Sequence, residues 1–229
     1  MDGETALGGK VAVKNHKHGT LNPNAQYQRE IDLSTVLNAS PVAEPLGVFD
    51  CAPLSDGAAA VVLCSMDRAR SYTSKPIRIA ASAQASDTLA LHSRTTVTSF
   101  KATQVAAQRA FRQAGRRPEQ VQLAEVHDNF TIAEILAIED LGFFPKGQGG
   151  KATMDGETAL GGKVAVNTSG GLKARGFPFG ATGVAQLVEL VEQLRGEAGK
   201  RQVPDATLGL AQNAGGTGAT VVVSLLEVA

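Results

Sequence analysis

Cysteine is scarce in this chain: Cys51 and Cys64 are the only two. Two thiols are too few for a disulfide scaffold or a structural zinc site. With nothing secretory around them, they point to a reducing, cytoplasmic setting. An excess of charge of either sign is also missing. Lys+Arg and Asp+Glu both count 22, and no basic block recommends a nucleic-acid partner. Long apolar runs are absent as well. Stretches such as 58–64 and 219–223 fall far short of the ~20 residues that a membrane-spanning helix needs. Residues 1–13 carry Asp2 and Glu4 and have no apolar core of a signal peptide. What is present is the composition of an ordinary globular protein, 43% hydrophobic and 19% charged, in a length that supports one sizeable core.

The segment MDGETALGGKVAV occurs twice, at residues 1–13 and 154–166. A structural repeat extends further and drifts in sequence, whereas here identity stops abruptly. Lys14-Asn15-His16 follows the first copy and Asn167-Thr168-Ser169 follows the second. The pattern reads as a junction at the shared Val-Ala-Val. The second copy runs smoothly into its context, so the first is the foreign one, and residues 1–13 are taken as a duplicated leader.

Residues 14–50 are polar and irregular, with a turn at Asn22-Pro23-Asn24. The run 58–65 reads as a buried strand, 66–70 as a short helix, and 77–83 as a second strand. Residues 101–114 have helical spacing and end at Gly115. A short strand at 123–126 leads into His127-Asp128, and 131–141 is an amphipathic helix. Residues 142–163 read as a glycine-rich loop. In helix 184–194, Leu187, Val188, Val191 and Leu194 form one apolar stripe, with Gly196 as the stop. Residues 208–211 and 219–228 read as strands around a glycine turn too short for a crossover, hence antiparallel. Strands alternating with helices predict an α/β layered domain, a mixed sheet with helices packed on it.

Four stretches stand out: SDGAAAVVL (55–63), HDNFTIAE (127–134), NTSGGLKARGFPFGATG (167–183) and QNAGGTGAT (212–220). Their order and spacing resemble the C-terminal half of a thiolase. The histidine of His127-Asp128-Asn129-Phe130 points to the sterol-carrier-protein-2-type branch. The resemblance covers about residues 11–229. It makes 14–50 a remnant of the family's loop region and 51–229 a thiolase-like C-terminal domain.

That resemblance implies carbon–carbon chemistry on acyl-CoA, with a coenzyme A thioester as substrate, no bound cofactor and no metal. A thiolase needs a nucleophilic cysteine, a base for it, a second acid/base, and two oxyanion holes. The nucleophile belongs to the family's N-terminal half, which this sequence does not contain. Cys51 and Cys64 read as packed thiols. The family's base is the histidine of a Gly-His-Pro triplet; here the triplet is Gly176-Phe177-Pro178, and phenylalanine transfers no proton. Asn129 stands at one position where the branch carries its second acid/base cysteine. Gln212 or Asn213 stands at the other. Amides donate hydrogen bonds but do not titrate.

His127 survives, and the resemblance gives it an oxyanion-hole role at the end of a strand, where α/β sites collect. Asp128 reads as the N-cap of the helix 129–141. Gly215 and Gly216 form either an oxyanion loop or only a tight turn. Ser169, Gly170 and Gly171 are expected against the CoA pantetheine arm, or as the turn into the next helix. Lys173 and Arg175 could meet a phosphate, with a solvated position as the default. His16 and His18, at i, i+2, suggest a metal, but no carboxylate or cysteine stands nearby, and His16, Lys17 and His18 read as an exposed loop. His92 has no motif around it.

Three functions compete. The first is a thiolase-type acyltransferase, inactive as this chain alone, whose full-length relatives are homo-oligomers. The second is a non-catalytic acyl-CoA or lipid-binding subunit. The third is a thiolase-like aldolase subunit working with an OB-fold partner, in which His127 or Tyr27 would move the proton. Thiolysis consumes free CoA and retro-aldol cleavage does not.

Overall fold

A computed structural model describes residues 3–229, with side chains from residue 7 onward. In chain order the elements are α1 (Gly3–Gly19), α2 (Leu33–Leu37), β1 (Pro41–Ala43), β2 (Leu46–Gly47), α3 (Met66–Tyr72), β3 (Ile77–Ser86), α4 (Lys101–Ala114), β4 (Leu123–Glu125), α5 (Thr131–Asp140), α6 (Gly149–Met154), β5 (Ala165–Val166), α7 (Gly171–Arg175), α8 (Thr182–Arg195), β6 (Leu208–Gly215) and β7 (Thr220–Val228). Five strands form one mixed sheet in the order β3-β7-β6-β4-β5. β7 runs antiparallel to both β3 and β6, while β4 is parallel to both β6 and β5.

Helices cover both faces of the sheet, as the alternation of elements predicts. On one face α4 buries Ala102, Ala106, Ala110 and Phe111, and α5 buries Ala137 and Ile138, against Val221, Val223 and Leu225. On the other, Leu190 and Leu194 of α8 pack on Leu123, Ala165, Ala211 and Leu226. The small alanines of α4 let that helix sit close to the sheet. Gly115 and Gly196 end α4 and α8 in the left-handed region, at φ 63° and 74°, where glycine carries no steric penalty.

Four expectations change. Residues 58–65 are not a buried strand. They carry no regular secondary structure and do not join the sheet, and Val62 and Leu63 are 97% and 71% exposed. The sheet's free edges are β3 and β5, and this run pairs with neither of them, so its apolar side chains enter no layer. Second, residues 14–50 are not irregular throughout. Lys14–Gly19 complete α1, and α2 and the β1–β2 hairpin follow. The reason is that Lys14 and Asn15 bond into the core beneath them. Third, the 142–163 loop contains α6.

The fourth concerns α8. Its buried face carries Thr182, Gln186, Glu189 and Gln193 as well as Leu190 and Leu194, whereas Leu187, Val188 and Val191 are only half-buried. A polar stripe turns inward because it has partners there. Arg201 Nε lies 2.9 Å from Glu189 Oε2, Thr168 Oγ1 donates to Glu189 at 2.9 Å, and Gln193 Nε2 donates to the Arg201 carbonyl at 2.8 Å. A satisfied polar network shares the inward side with the apolar stripe, of which Leu194 is buried and Leu187 and Val191 pack half-buried against the same core.

Candidate active site

The parallel strands β4 and β6 place their carboxyl ends side by side, with Glu125 opposite Ala211. Two residues further on stand His127 and Asn213. His127 is buried, and its backbone N–H donates to Gln212 Oε1 at 2.9 Å. Successive residues of a strand face opposite ways. Gln212 therefore points into the protein, where its amide also donates to Thr103 Oγ1 at 3.2 Å. Asn213 points to the imidazole, with Nδ2 3.3 Å from His127 Nδ1. Of the two amides the sequence leaves open, Asn213 meets the His127 imidazole, whereas Gln212 holds only its backbone N–H.

Phe177 closes another side of the ring. Its centroid is 5.2 Å from that of His127 at 82°, and Phe179 lies 4.4 Å beyond it. Backbone bonds hold Phe177 in place: its N–H donates to the Pro53 carbonyl at 3.1 Å, and its carbonyl accepts from Ser55 at 3.4 Å. Burial, and then the positive charge of Arg175, push the His127 pKa down to about 4. The ring is therefore neutral near pH 7. It can donate one hydrogen bond and accept one, and it is a weak base. Asn129 is half-buried beside it, its carbonyl accepting from the Ala52 N–H at 2.9 Å.

Gly215 and Gly216 lie at the same end of the sheet, at the β6–β7 turn, and Gly216 has φ 59°. The turn is tied to the 87–94 loop, where Arg94 Nη1 donates to the Thr217 carbonyl at 2.9 Å.

Several residues take other places than expected. Asp128 does not cap the following helix; the residue before α5 is Phe130, with no side-chain cap. Asp128 instead accepts from the backbone N–H groups of Leu172 and Lys173 at 2.7 and 3.3 Å, capping α7, and from Asn15 Nδ2 at 2.8 Å. Ser169 is sealed from solvent and spends its hydroxyl on Glu125 Oε2 at 2.5 Å. Gly170 and Gly171 serve close packing. A Cβ on Gly170 would come within 2.9 Å of the Gly19 Cα, and one on Gly171 within 2.3 Å of Asp128 Oδ2. These three residues pack under α1 in this structure, with the Ser169 hydroxyl held by Glu125.

Lys173 and Arg175 are not solvated. Lys173 is buried and donates to the Cys51 carbonyl, and burial lowers its pKa. The Arg175 guanidinium sits 3.8 Å from Glu125, whose pKa burial and the nearby Glu189 push up. His16 and His18 are buried on α1 rather than exposed. His18 donates from Nδ1 to the Asn167 carbonyl at 3.0 Å and accepts at Nε2 from Leu160 N–H at 3.3 Å. His92 is exposed.

Sequence reasoning missed Gln186, which is fully buried and bonds Asn213 and the Gln212 carbonyl. It also missed Glu125, the acceptor at the centre of the Ser169–Arg175 cluster. Glu125 is a polar residue ending an otherwise apolar strand, and that interruption was its signal; Gln186 is one of several polar residues in an amphipathic helix, and nothing in the local pattern marks it.

A mixed α/β domain with a neutral histidine and carboxyl-end glycines over its central strands is the C-terminal half of a thiolase fold. Residues 83–228 match the family described as "Thiolase C-terminal domain-like". The chain is 54% identical over 217 residues to the acetyl-CoA acetyltransferase of Methanothermobacter thermautotrophicus, covering 95% of this chain and 57% of that protein. It is 42% identical over 218 residues to sterol carrier protein 2 of Oryctolagus cuniculus, covering 93% of this chain and 40% of that protein. The solved Ltp2-ChsH2(DUF35) aldolase superposes with a TM-score of 0.88 at 28% identity, covering 98% of this chain and 58% of that one. The chain belongs to the thiolase superfamily, in its sterol-carrier-protein-2-type branch, and spans little more than half the length of the acetyltransferase it matches.

Proposed function

We propose that this chain forms the part of a thiolase-family acyl-CoA enzyme that holds the thioester carbonyl, with His127 donating a hydrogen bond to the oxygen. The chain has no thiol chemistry of its own. The observation that carries the reading is the neutral His127 set between Phe177 and Asn213, with neither neighbour able to transfer a proton. A base with a pKa of about 4 removes protons poorly at neutral pH. A neutral N–H donor beside a developing oxyanion is well suited to stabilise it.

The two cysteines do not supply a nucleophile. Burial pushes the Cys51 thiol up, which lowers its thiolate fraction, and Cys64 lies exposed in the unpaired 57–65 segment. The setting proposed for both is the reducing cytoplasm. Among the described residues no helix is long and apolar enough to cross a membrane.

The test is the purified chain with acetoacetyl-CoA and CoA, followed by loss of the enolate absorbance. No CoA-dependent cleavage is expected, and the Phe177→His variant should be equally inert. Turnover by either would overturn the reading. A second reading, an aldolase subunit with an OB-fold partner, draws on the likeness to the Ltp2-ChsH2(DUF35) aldolase. It requires cleavage of a β-hydroxyacyl-CoA without added CoA, in the presence of a DUF35 protein.

A further inference from the structure

We propose that Gln186 and Asn213 are positioning residues that set the tautomer of His127, keeping Nδ1 as an acceptor and the proton on Nε2. The proposal rests on the reading of His127 as the thioester donor, because Nε2–H is then the group offered to the carbonyl oxygen. The tautomer itself can be measured without that reading.

An amide's nitrogen and oxygen are told apart by their partners, and here one partner is unambiguous. The backbone carbonyl of Gln212 can only accept. The Gln186 amide nitrogen, 3.1 Å from it, is therefore the donor. That orientation turns Gln186 Oε1 toward Asn213, and the oxygen needs a donor. Asn213 meets it with Nδ2 at 3.2 Å. Rotating the Asn213 amide would set two carbonyl oxygens against each other. The same NH₂ group has a second hydrogen, and it faces His127 Nδ1 at 3.3 Å.

Nδ1 must then accept, and a neutral imidazole that accepts at Nδ1 carries its proton on Nε2. The opposite tautomer would place N–H against N–H. Gln186 is fully buried, so water cannot easily rescue a reversed chain, and the preference should exceed about tenfold. Nε2 makes no hydrogen bond among the described residues and is not one of the sealed, unpartnered atoms. It is therefore free for a ligand oxygen.

The molecule contains its own control. His16 and His18 both donate from Nδ1 to backbone carbonyls, of Arg29 at 3.1 Å and Asn167 at 3.0 Å. They must hold the tautomer opposite to that of His127.

The experiment is a long-range ¹H–¹⁵N correlation spectrum of the full chain labelled with [¹⁵N]histidine, near neutral pH. His127 is assigned by the signal lost in His127→Gln. The expected result is an Nε2–H pattern for His127, Nδ1–H patterns for His16 and His18, and an averaged pattern for the exposed His92. In Asn213→Asp the neighbour of Nδ1 becomes an acceptor, and Nδ1 should gain a proton while His18 keeps its pattern, which also reports that the fold is intact. An Nδ1–H pattern for His127 in the unaltered chain overturns the proposal, as does an unchanged Nδ1 in a folded Asn213→Asp. The spectrum of the unaltered chain decides alone if the variant does not fold. Adding acetyl-CoA separates the two claims: an Nε2–H pattern that acetyl-CoA leaves undisturbed upholds the tautomer and removes the thioester-donor reading of His127.

Discussion

Lys14 is the residue whose loss should hurt stability most. Its ammonium reaches Glu134 Oε1 at 2.9 Å and donates to the Val166 carbonyl at 2.8 Å, and Glu134 is fully buried. Asn15 and Asn167 supply the other carboxylate oxygen with bonds of 2.9 and 2.7 Å. Removing one partner of a buried pair strands the other charge, at a cost of roughly 3–5 kcal/mol. Lys14→Met should therefore lower the unfolding free energy by that order in urea titrations. A loss below about 1 kcal/mol would show that Glu134 is content without its cation. Phe177 makes the opposite case: its ring fills space against His127 and supplies no proton, so its chemical silence could be read from its side chain alone. Which groups it faces could not.

At the scale of elements, the duplicated segment is the clearest case. Residues 3–13 are helical in α1, whereas the same letters at 156–166 form turns and then the strand β5. Helix propensity is a weak prior that tertiary context overrides, and no reading of these letters by themselves could assign both. In the first copy Val11 and Ala12 are fully buried; in the second, Ala165 and Val166 pair with β4.

The 57–65 run gives a matched test of what burial is worth. Leu63 is 71% exposed and Leu225 of β7 is fully buried. Leu225→Ala should cost about 2–5 kcal/mol and Leu63→Ala less than about 0.5 kcal/mol, measured in the same denaturant series. Equal losses would mean that the 57–65 run is packed in solution. Hydrogen exchange should agree, with fast exchange across 57–65 and protection in β6 and β7. Helix α8 shows what periodicity leaves out. Leu187, Val191 and Leu194 do pack on the core as a stripe, but Gln186, Glu189 and Gln193 are buried beside it because Thr168, Arg201 and the Gln212 carbonyl await them there.

For the whole molecule, acid is the informative variable. Burial holds the pKa of His127 at about 4 and that of His18 at about 3, both below the ordinary 6.5. The folded chain binds fewer protons at these sites than the unfolded one. Their contribution to stability is thus full above about pH 6.5 and is lost as pH falls toward the folded values. Burial pushes Glu125 and Asp128 the other way. Their contribution is full at low pH and is lost as pH rises through their raised values, so the two sets oppose each other in the acid range. Removing one histidine should unbalance them. Between about pH 7 and about pH 4.5, the urea midpoint of the unaltered chain should fall further than that of His127→Gln. Parallel losses would mean that His127 titrates normally.

The sequence by itself determined the α/β class, the positions of α4 and α5, the antiparallel β6–β7 pair and the family. These rest on local spacing, glycine stops and ordered motifs, which are properties of neighbouring letters. It also determined that Phe177 and Asn129 cannot move a proton, since that is a property of the side chain alone. Only the tertiary structure decided which amide faces His127, which helix Asp128 caps, which side of α8 is inward, and what the duplicated segment becomes in each of its two places. Each of these depends on partners distant in sequence, and a buried polar group takes its position from whichever partner satisfies its hydrogen bonds.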